Sequence, residues 1–268
     1  TVNTKSDLST LTIPFLVEIP RMVDEDDKFR KFRFRNDNDK SFTKIFVKQG
    51  SRDMMNEAFR VLRTNVDLMI DKSSPSHVIM LTSFNPNAGK TFTIMNMAAS
   101  MSLKGAKVLL VDLDLRKATL SKALSVNHTG VAAYLNGKTE DYHEHIEALD
   151  NGLSILPVGS LPPNPAELLL TERFRNMIEA LRKEYDYIFL DCPPVDIVAD
   201  ASIVAEVVDM TIFVMRANLM DKRFLPTVEE LYKSGKYNHM AMILNGVDVY
   251  HKKYGYGRYG YGYGYGYG

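Results

Sequence analysis

Residues 78–91, which read Val-Ile-Met-Leu-Thr-Ser-Phe-Asn-Pro-Asn-Ala-Gly-Lys-Thr, decide the fold of this chain. The apolar run at the start predicts a short buried strand, and a loop ending in Gly89-Lys90-Thr91 follows it. Beyond the loop, an apolar stripe at helical spacing predicts a helix; its members are Ile94, Met97, Ala98 and Met101. A strand, a loop ending in Gly-Lys-Thr and a helix are together typical of a phosphate-binding loop, or P-loop.

A loop of this kind binds a triphosphate through its backbone and two side chains. Loop N–H groups and the helix N-terminus face the phosphates, Lys90 brings positive charge to the β- and γ-oxygens, and the Thr91 hydroxyl can bind Mg²⁺. We therefore predict ATP and Mg²⁺ as cofactors. The predicted nucleotide contacts in the loop and first helical turn are Asn87, Ala88, Gly89, Lys90, Thr91 and Phe92. A Gly-Lys-Thr turn before a helix also arises by chance, so this motif alone leaves a purely structural role open.

Two positions of the loop depart from the usual pattern. Phe84 stands where the first glycine is expected, and Asn87 replaces another common glycine. Asn is the non-glycine residue that best tolerates a positive φ, so Asn87 is compatible with the loop. Steric closure of the loop by Phe84 would abolish binding, and the two departures together predict weaker ATP binding or slower turnover.

Carboxylates follow two further apolar runs. Residues 108–111 lead into Asp112 and Asp114, and residues 188–190 lead into Asp191. The alternation of a strand predicts that Asp112 and Asp114 point to the same side. Ligands of open α/β sheets bind outside the carboxyl ends of the strands, so we expect the three acids to meet the loop at one rim. A single Asp after a strand is more often a turn or cap residue, but three beside a P-loop predict a nucleotide and Mg²⁺ site.

The rest of the chain repeats the alternation of apolar runs, at 211–214 and 240–244, with helical stretches. This pattern predicts an α/β fold, a P-loop NTPase three-layer sandwich with a mostly parallel central sheet covered by helices on both faces. We expect an N-terminal juxtamembrane-type segment at 1–50, a P-loop domain at 51–250 and a disordered tail at 251–268.

Composition limits the possible partners and compartments. Lys and Arg (33) balance Asp and Glu (33), so net charge does not indicate nucleic acid, and we expect none as a partner. The single cysteine, Cys192, excludes an internal disulfide and fits a reducing compartment. No apolar run approaches the ~18 residues of a membrane span, and no signal peptide is visible. A basic-aromatic cluster at 28–35 either contacts anionic lipid or forms a strand edge neutralised by the acids at 24–27.

The tail is a Tyr-Gly repeat, and glycine at every second position predicts disorder. It carries seven tyrosines, which would be candidate phosphate acceptors if the nucleotide site transfers phosphate to protein: Tyr254, Tyr256, Tyr259, Tyr261, Tyr263, Tyr265 and Tyr267. A tyrosine hydroxyl, with a pKa of ~10, needs a carboxylate or a metal nearby when it attacks, and Asp112 or Asp114 could supply it. The alternatives are an adhesive low-complexity segment or a cloning artefact.

Over nearly its whole length, the sequence resembles the cytoplasmic kinase domain of bacterial tyrosine kinases of the polysaccharide co-polymerase type. The matching stretches are the P-loop, the tyrosine cluster and residues 13–20, 57–65, 112–117, 162–169, 185–187 and 191–194. The Pro162-Pro163-Asn164-Pro165 segment and the tyrosine tail are the most specific matches, because related ATPases of cell division and plasmid partition lack both.

The resemblance implies a role for each matching residue. The implied catalytic residues are Lys90, Asp112, Asp114 and Asp191, and the implied Mg²⁺ ligands are Thr91, Asp112 and Asp191. Asn245 stands where relatives contact the adenine, and Arg216 is assigned to the nucleotide side. Glu57, Arg60 and Arg63 match a Glu-x-x-Arg-x-x-Arg pattern that joins subunits into a ring, an octamer by resemblance. The helical wheel predicts that both arginines are exposed.

The resemblance also implies the activity and its setting. It implies an ATP-dependent protein-tyrosine autokinase that phosphorylates its own tail between ring subunits and regulates capsule or exopolysaccharide assembly and export. The implied partners are further copies of the chain, a transmembrane activator in the same or a separate protein, and a protein-tyrosine phosphatase. The implied location is the cytoplasmic side of the bacterial inner membrane, with this chain itself soluble. The alternatives are a nucleotide-switched ATPase of the partition or septum-placement type and a nucleotide-binding scaffold without kinase activity.

Overall fold

The computed structural model describes residues 1–22, 45–126, 128–149, 152–195 and 200–249. Within these ranges the chain forms an eight-stranded sheet of order β1-β8-β7-β2-β6-β3-β5-β4. The strands are β1 (Phe15–Pro20), β2 (His77–Ser83), β3 (Val108–Asp112), β4 (Glu147–Ala148), β5 (Leu153–Leu156), β6 (Tyr187–Asp191), β7 (Met210–Arg216) and β8 (Met240–Val247). Neighbouring strands pair in parallel, except that β4 is antiparallel to β5. The predicted α/β fold with a mostly parallel sheet is confirmed.

Helices connect these strands. They are α1 (Met54–Met69), α2 (Lys90–Ser102), α3 (Thr119–Ala123), α4 (Val131–Leu135), α5 (Pro165–Leu169), α6 (Glu172–Leu181), α7 (Asp200–Val204) and α8 (Leu225–Lys233). Short 3₁₀ turns lie at Lys5–Leu8, Tyr142–His145, Ala205–Val207 and Lys222–Phe224. The two longest connecting helices, α1 and α2, begin in different ways. Asp53 caps α1 by accepting from the backbone N–H groups of Met55 and Asn56, whereas Gly89 precedes α2 in a left-handed conformation.

Strand β2 shows why the sheet is covered on both faces. All of its residues are buried, and successive side chains point to opposite sides. Val78 and Met80 pack in one apolar cluster with residues of α6 and α8, while Ile79 and Leu81 pack in a second cluster with α1 and α2. Each fully buried aliphatic side chain stabilises the fold by about 1.5–3 kcal/mol, so both clusters hold β2 and the loop that follows it.

The N-terminal residues belong to the same sheet. Strand β1 pairs in parallel with β8, and Asn65 of α1 donates to the Leu16 carbonyl at 2.7 Å. The Val2 N–H donates to the Met220 carbonyl at 2.8 Å, which ties the first residues to the turn after β7. The segment predicted at 1–50 therefore supplies an edge strand to the sheet that carries the P-loop.

Helix α1 buries one apolar side and leaves other apolar side chains exposed. The buried apolar residues are Ala58, Phe59, Leu62 and Val66. Val61 and Leu68 are 38% and 70% exposed. The reason is the direction from which β1 and α2 approach: they cover the side of α1 that carries Phe59 and Val66, which pack in the same apolar cluster as Leu16 and Met95.

Two predicted features lie outside the described residues. They are the basic-aromatic cluster at 28–35 and the tail at 251–268 with all of the predicted acceptor tyrosines. In the ranges that are described, none of the helices combines the length and hydropathy of a membrane span.

Candidate active site

The P-loop connects β2 to α2 and turns through two left-handed residues. Asn87 has φ 60° and Gly89 has φ 91°. The tolerance of Asn for this region, inferred from the sequence, therefore matches the conformation observed at Asn87. The Thr93 N–H donates to the Gly89 carbonyl at 2.9 Å, so helical hydrogen bonding begins directly at the loop.

Phe84 does not close the loop. Its side chain is 6% exposed and lies in the apolar core, with its ring centroid 4.8 Å from that of Phe224. Phe224 ends the 3₁₀ turn before α8, so the two rings join the start of the P-loop to a helix far along the chain. The phenylalanine that replaces the first glycine is thus a packing residue beneath the loop, and the predicted steric obstacle is absent from this part of the structure.

A cleft of about 760 Å³ opens at the carboxyl ends of the strands. The predicted site residues that line it are Asn87, Gly89, Lys90, Thr91, Phe92, Asp114, Asp191 and Arg216. Further lining residues that the sequence did not assign are Pro86, Lys117, Thr119, Lys122, Ala123 and Pro194. Ala88 and Asn245 lie behind the loop instead: Ala88 is 2% exposed, and the Asn245 amide donates to its carbonyl. A contact between Asn245 and adenine therefore stays a prediction.

Asp191 and Thr91 meet at the floor of the cleft. The Thr91 hydroxyl donates to Asp191 Oδ2 at 3.0 Å, while the other carboxylate oxygen, Oδ1, is buried without a hydrogen-bond partner. An unsatisfied buried carboxylate oxygen beside a hydroxyl is a donor set that suits Mg²⁺, which takes one or two carboxylates and completes its shell with phosphates and water. Consistent with so few protein ligands, the described residues hold no cluster of three or more His, Cys, Asp or Glu arranged around a metal position.

Asp114 faces the same cleft from the loop after β3. Its Oδ1 accepts from the Lys117 N–H at 3.1 Å and its Oδ2 from the Thr119 hydroxyl at 3.2 Å. These bonds fix the carboxylate while leaving it at the cleft surface, because Asp114 is among the lining residues. Asp114 is therefore placed to accept a proton from a group that enters the cleft.

Asp112 does not share that position, although the sequence placed it on the same side as Asp114. Its Oδ1 accepts from the Asp114 N–H at 3.1 Å, and its Oδ2 accepts from the Ser121 N–H at 2.8 Å and the Ser121 hydroxyl at 2.7 Å. Strand β3 ends at Asp112, so the strand alternation does not extend to Asp114. In this structure Asp112 is fully buried, binds the first turn of α3 and neighbours Asp191 across the sheet, and its predicted roles in catalysis and Mg²⁺ binding stay predictions.

Lys117 and Lys122, which the sequence analysis did not assign to the site, add positive charge to the rim of the cleft. Lys117 lies three residues after Asp114. Thr119 and Lys122 lie one turn apart on α3, and this i, i+3 spacing could have indicated from the sequence that they share one side of a helix. Lys117 and Lys122, with Lys90 and Arg216, offset the two carboxylates of the cleft. Positive charge in excess of the acids favours a polyphosphate ligand.

Burial raises the pKa of the carboxyl groups of Asp112 and Asp191. The pKa of Asp112 rises to about 7 through burial and then through the charge of Asp191. Burial also raises the pKa of Asp191 to about 6, although Lys90 and the Thr91 hydroxyl oppose the shift. Each group is harder to ionise in the folded chain than in the unfolded chain.

This shift predicts a pH dependence of the nucleotide-free chain. From about pH 4 to about pH 7 the folded chain holds more protons than the unfolded chain, so its stability falls as pH rises through that window. Melting temperatures measured between pH 4.5 and 8 should decline less for Asp191→Asn than for wild type. Equal slopes for the two proteins would contradict the prediction.

The predicted ring residues lie away from the cleft on α1. Arg60 and Glu57 form an ion pair with side chains 65% and 48% exposed, as the helical wheel predicts for Arg60. For Arg63 the predicted exposure is wrong. Its Nη1 donates to the Ser100 carbonyl at 2.9 Å and to the Ser100 hydroxyl at 3.1 Å. Helix α2 packs beside α1 and turns this arginine inward.

The described fold and cleft define a P-loop nucleotide-binding protein. Residues 76–239 match the family model described as AAA domain. The chain is 36% identical over 201 residues to the tyrosine-protein kinase CpsD of Streptococcus pneumoniae. The matched region covers 74% of this chain and 87% of that protein. It is 33% identical to the tyrosine-protein kinase Wzc of Salmonella typhimurium, over 77% of this chain and 29% of that protein. Among solved structures, the kinase domain of Escherichia coli tyrosine kinase ETK superposes with a TM-score of 0.78 at 29% identity, covering 98% of this chain and 100% of that one.

These likenesses extend over most of the chain and agree with the geometry of the cleft. The chain belongs to the bacterial tyrosine-protein kinase family.

Proposed function

We propose that this chain transfers the γ-phosphoryl group of ATP to the tyrosines of its own C-terminal cluster. The observation that carries the proposal is the meeting of Lys90, Thr91, Asp191 and Asp114 in one cleft. Those side chains combine a phosphate-binding cation, a fitting pair of Mg²⁺ ligands and a carboxylate that lines the cleft. Phosphoryl transfer asks a protein for this combination of positioning and charge neutralisation.

The proposed reaction forms one bond and breaks another at phosphorus. A tyrosine oxygen bonds to the γ-phosphorus, the bond from that phosphorus to the β–γ bridging oxygen breaks, and ADP leaves. Asp114 accepts the phenolic proton, which a hydroxyl with a pKa of ~10 does not release unaided at neutral pH. Lys90 neutralises charge on the transferring group. Mg²⁺, held by Thr91 and Asp191 when bound, would neutralise charge on the β- and γ-phosphates.

The position of β8 supports the tail as acceptor. Strand β8 ends at Val247, on the carboxyl edge of the parallel sheet where the cleft opens. Extended chain spans at most ~3.6 Å per residue, so Tyr254 can lie up to about 25 Å from that point and Tyr267 up to about 70 Å. These spans allow a tyrosine to enter the cleft of its own chain or that of a neighbour, and the family resemblance favours the neighbour.

A mixing experiment tests the acceptor and the route together. Dephosphorylated chain is incubated with Mg²⁺ and ATP, and phosphotyrosine is mapped by mass spectrometry. A catalytic partner with every tail tyrosine changed to Phe is then mixed with a Lys90→Met acceptor. Phosphate on the acceptor tail is expected, since transfer between chains would not need the acceptor's own lysine. Asp114→Asn in the catalytic partner should prevent it, and Asp71→Asn, an exposed acid of the loop after α1, should not. Unmodified tails in the wild-type chain would defeat the proposal, particularly if ATP is still hydrolysed.

The wider setting is part of the same proposal. We propose that copies assemble as a ring through the exposed Glu57 and Arg60, with Arg63 holding α1 against α2 beside that contact, at the cytoplasmic face of the bacterial inner membrane. A transmembrane activator and a tyrosine phosphatase would set the phosphorylation level, and that level would regulate capsule or exopolysaccharide export. Each added phosphate brings about −1.5 to −2 charge, and mutual repulsion between the charged tails of neighbouring subunits would loosen the ring.

The two arginines of α1 should respond differently to substitution. Arg60→Ala removes an exposed ion pair, so the melting temperature should stay near that of wild type while the mass of the assembly falls. Arg63→Ala removes hydrogen bonds to Ser100 and should destabilise each subunit by about 1–2 kcal/mol. Light scattering and thermal unfolding measure the two effects. An unchanged assembly in Arg60→Ala would exclude Arg60 from the subunit contact.

A further inference from the structure

Two side chains from neighbouring strands hold consecutive carbonyls of the P-loop. Arg216 ends β7, Asn245 lies on β8, and the register of the sheet pairs their Cα atoms. Arg216 Nη1 donates to the Asn87 carbonyl at 3.0 Å, and Asn245 Nδ2 donates to the Ala88 carbonyl at 3.0 Å. The sheet thus places two donors side by side under two successive acceptors.

These bonds fix the direction of the neighbouring N–H groups. In a trans peptide the N–H points opposite to the carbonyl, so holding the Asn87 carbonyl sets the Ala88 N–H, and holding the Ala88 carbonyl sets the Gly89 N–H. Backbone N–H groups of such a loop are the donors that a phosphate uses. Asn87 is also strained, since its φ of 60° lies where glycine is favoured.

The side chains of Asn245 and Arg216 each pack beside a glycine. Asn245 is 6% exposed, and its amide fills the space beside Gly89, where an added Cβ would lie 2.0 Å from Nδ2. The stem of Arg216 runs along Gly246, where an added Cβ would lie 3.7 Å from its Cγ and Nε. Gly89 therefore leaves the room that the Asn245 amide occupies, whereas a Cβ at Gly246 would only touch Arg216 at an ordinary van der Waals distance.

We propose that Arg216 and Asn245 are positioning residues that hold the P-loop in its binding shape, and that Arg216 compensates for the glycine missing at position 87. The inference rests on the nucleotide site of the proposed function and deepens it. It differs from the sequence-based assignment, which gave both residues direct contacts with the nucleotide.

A double-mutant cycle separates bracing from direct contact. The dissociation constant of ADP with Mg²⁺ is measured by calorimetry, in the absence of any tyrosine transfer, for wild type, Arg216→Met, Asn87→Gly and the double variant. Losing a charged donor should weaken binding about tenfold in the wild-type background. With glycine at position 87 the loop needs no support there, so Arg216→Met should then weaken ADP binding less than about threefold.

Asn245→Ala and Arg223→Met are the matched comparisons. Asn245 holds the next carbonyl, so Asn87→Gly should not rescue Asn245→Ala. Arg223 is exposed and pairs with Asp221, and its substitution should leave ADP binding unchanged. Thermal unfolding of every variant identifies any that fail to fold. If Arg216→Met or Asn245→Ala fails to fold, the other substitution, with and without Asn87→Gly, decides the test.

Equal losses from Arg216→Met in both backgrounds would overturn the proposal, because they would indicate direct contact between Arg216 and the nucleotide. Rescue of Asn245→Ala by Asn87→Gly would also overturn it, since a generally looser loop would then explain the result. A chain that binds ADP but leaves tyrosine unmodified would defeat only the kinase proposal, whereas a chain that binds no ADP would defeat both.

Discussion

Replacing Lys90 by Met should lower the rate of tail phosphorylation about 10³-fold, the effect of removing one preorganised charge from a phosphoryl-transfer site. Lys90 begins α2 and lines the cleft beside Asp191, whose pKa its charge lowers. Met keeps a long apolar stem, so packing at the start of the helix should survive. The loss should therefore come from the missing charge on the transferring phosphoryl group.

Initial rates of phosphate incorporation with saturating ATP measure this effect, and ADP affinity measured in parallel separates binding from transfer. Lys104→Met is the matched control, because Lys104 is an exposed lysine just after α2 and away from the cleft. Retention of more than a tenth of the wild-type rate by Lys90→Met would show that the lysine does not act in transfer.

Gly89→Ala should weaken ADP binding at least about 100-fold, a loss of roughly 2.7 kcal/mol. The new Cβ would lie 2.0 Å from the Asn245 amide, and the residue would have to hold φ at 91°. Relief of the clash would push the Asn245 amide away from the Ala88 carbonyl or move the loop itself. Either movement disturbs the N–H groups that face a phosphate.

Gly105→Ala provides a control for backbone strain alone. Gly105 has φ 89°, nearly the same as Gly89, but an added Cβ there would meet nothing within 4 Å. This variant should lose about 1 kcal/mol of folding free energy and bind ADP as wild type does. Similar ADP affinities for the two alanine variants would mean that contact with Asn245 does not shape the loop.

The described structure also gives different surroundings to three acids that look alike in sequence. Asp191 has one unsatisfied oxygen at the floor of the cleft, and Asp114 lines the wall of the cleft. Asp112 is fully buried outside the cleft lining, with both oxygens accepting protein hydrogen bonds. Ser121 extends the Asp112 network, because its hydroxyl accepts from the Val158 N–H at 3.0 Å. The buried Asp112 therefore ties α3, with Thr119 and Lys122, to the sheet.

The features that sequence alone predicted correctly follow from local patterns and from one rule of sheet topology. The P-loop between β2 and α2 follows from residues adjacent in the chain, and the approach of Asp191 to Thr91 follows from a general property of parallel sheets, whose carboxyl ends share one edge. The left-handed conformation of Asn87 also follows from the tolerance of asparagine for a positive φ. These inferences need a short-range pattern and a rule of topology, and no knowledge of packing.

Tertiary structure decided the features that depend on which elements approach each other. Packing against Phe224 turned Phe84 into the core, and helix α2 turned Arg63 inward. The Asn245 amide meets a carbonyl 157 positions earlier in the chain. Periodicity indicates which side of an element is apolar, but it carries no information about the neighbour that covers that side. The P-loop was therefore predictable from residues adjacent in the sequence, while the hydrogen bonds from Arg216 and Asn245 to its carbonyls exist only because distant strands come together.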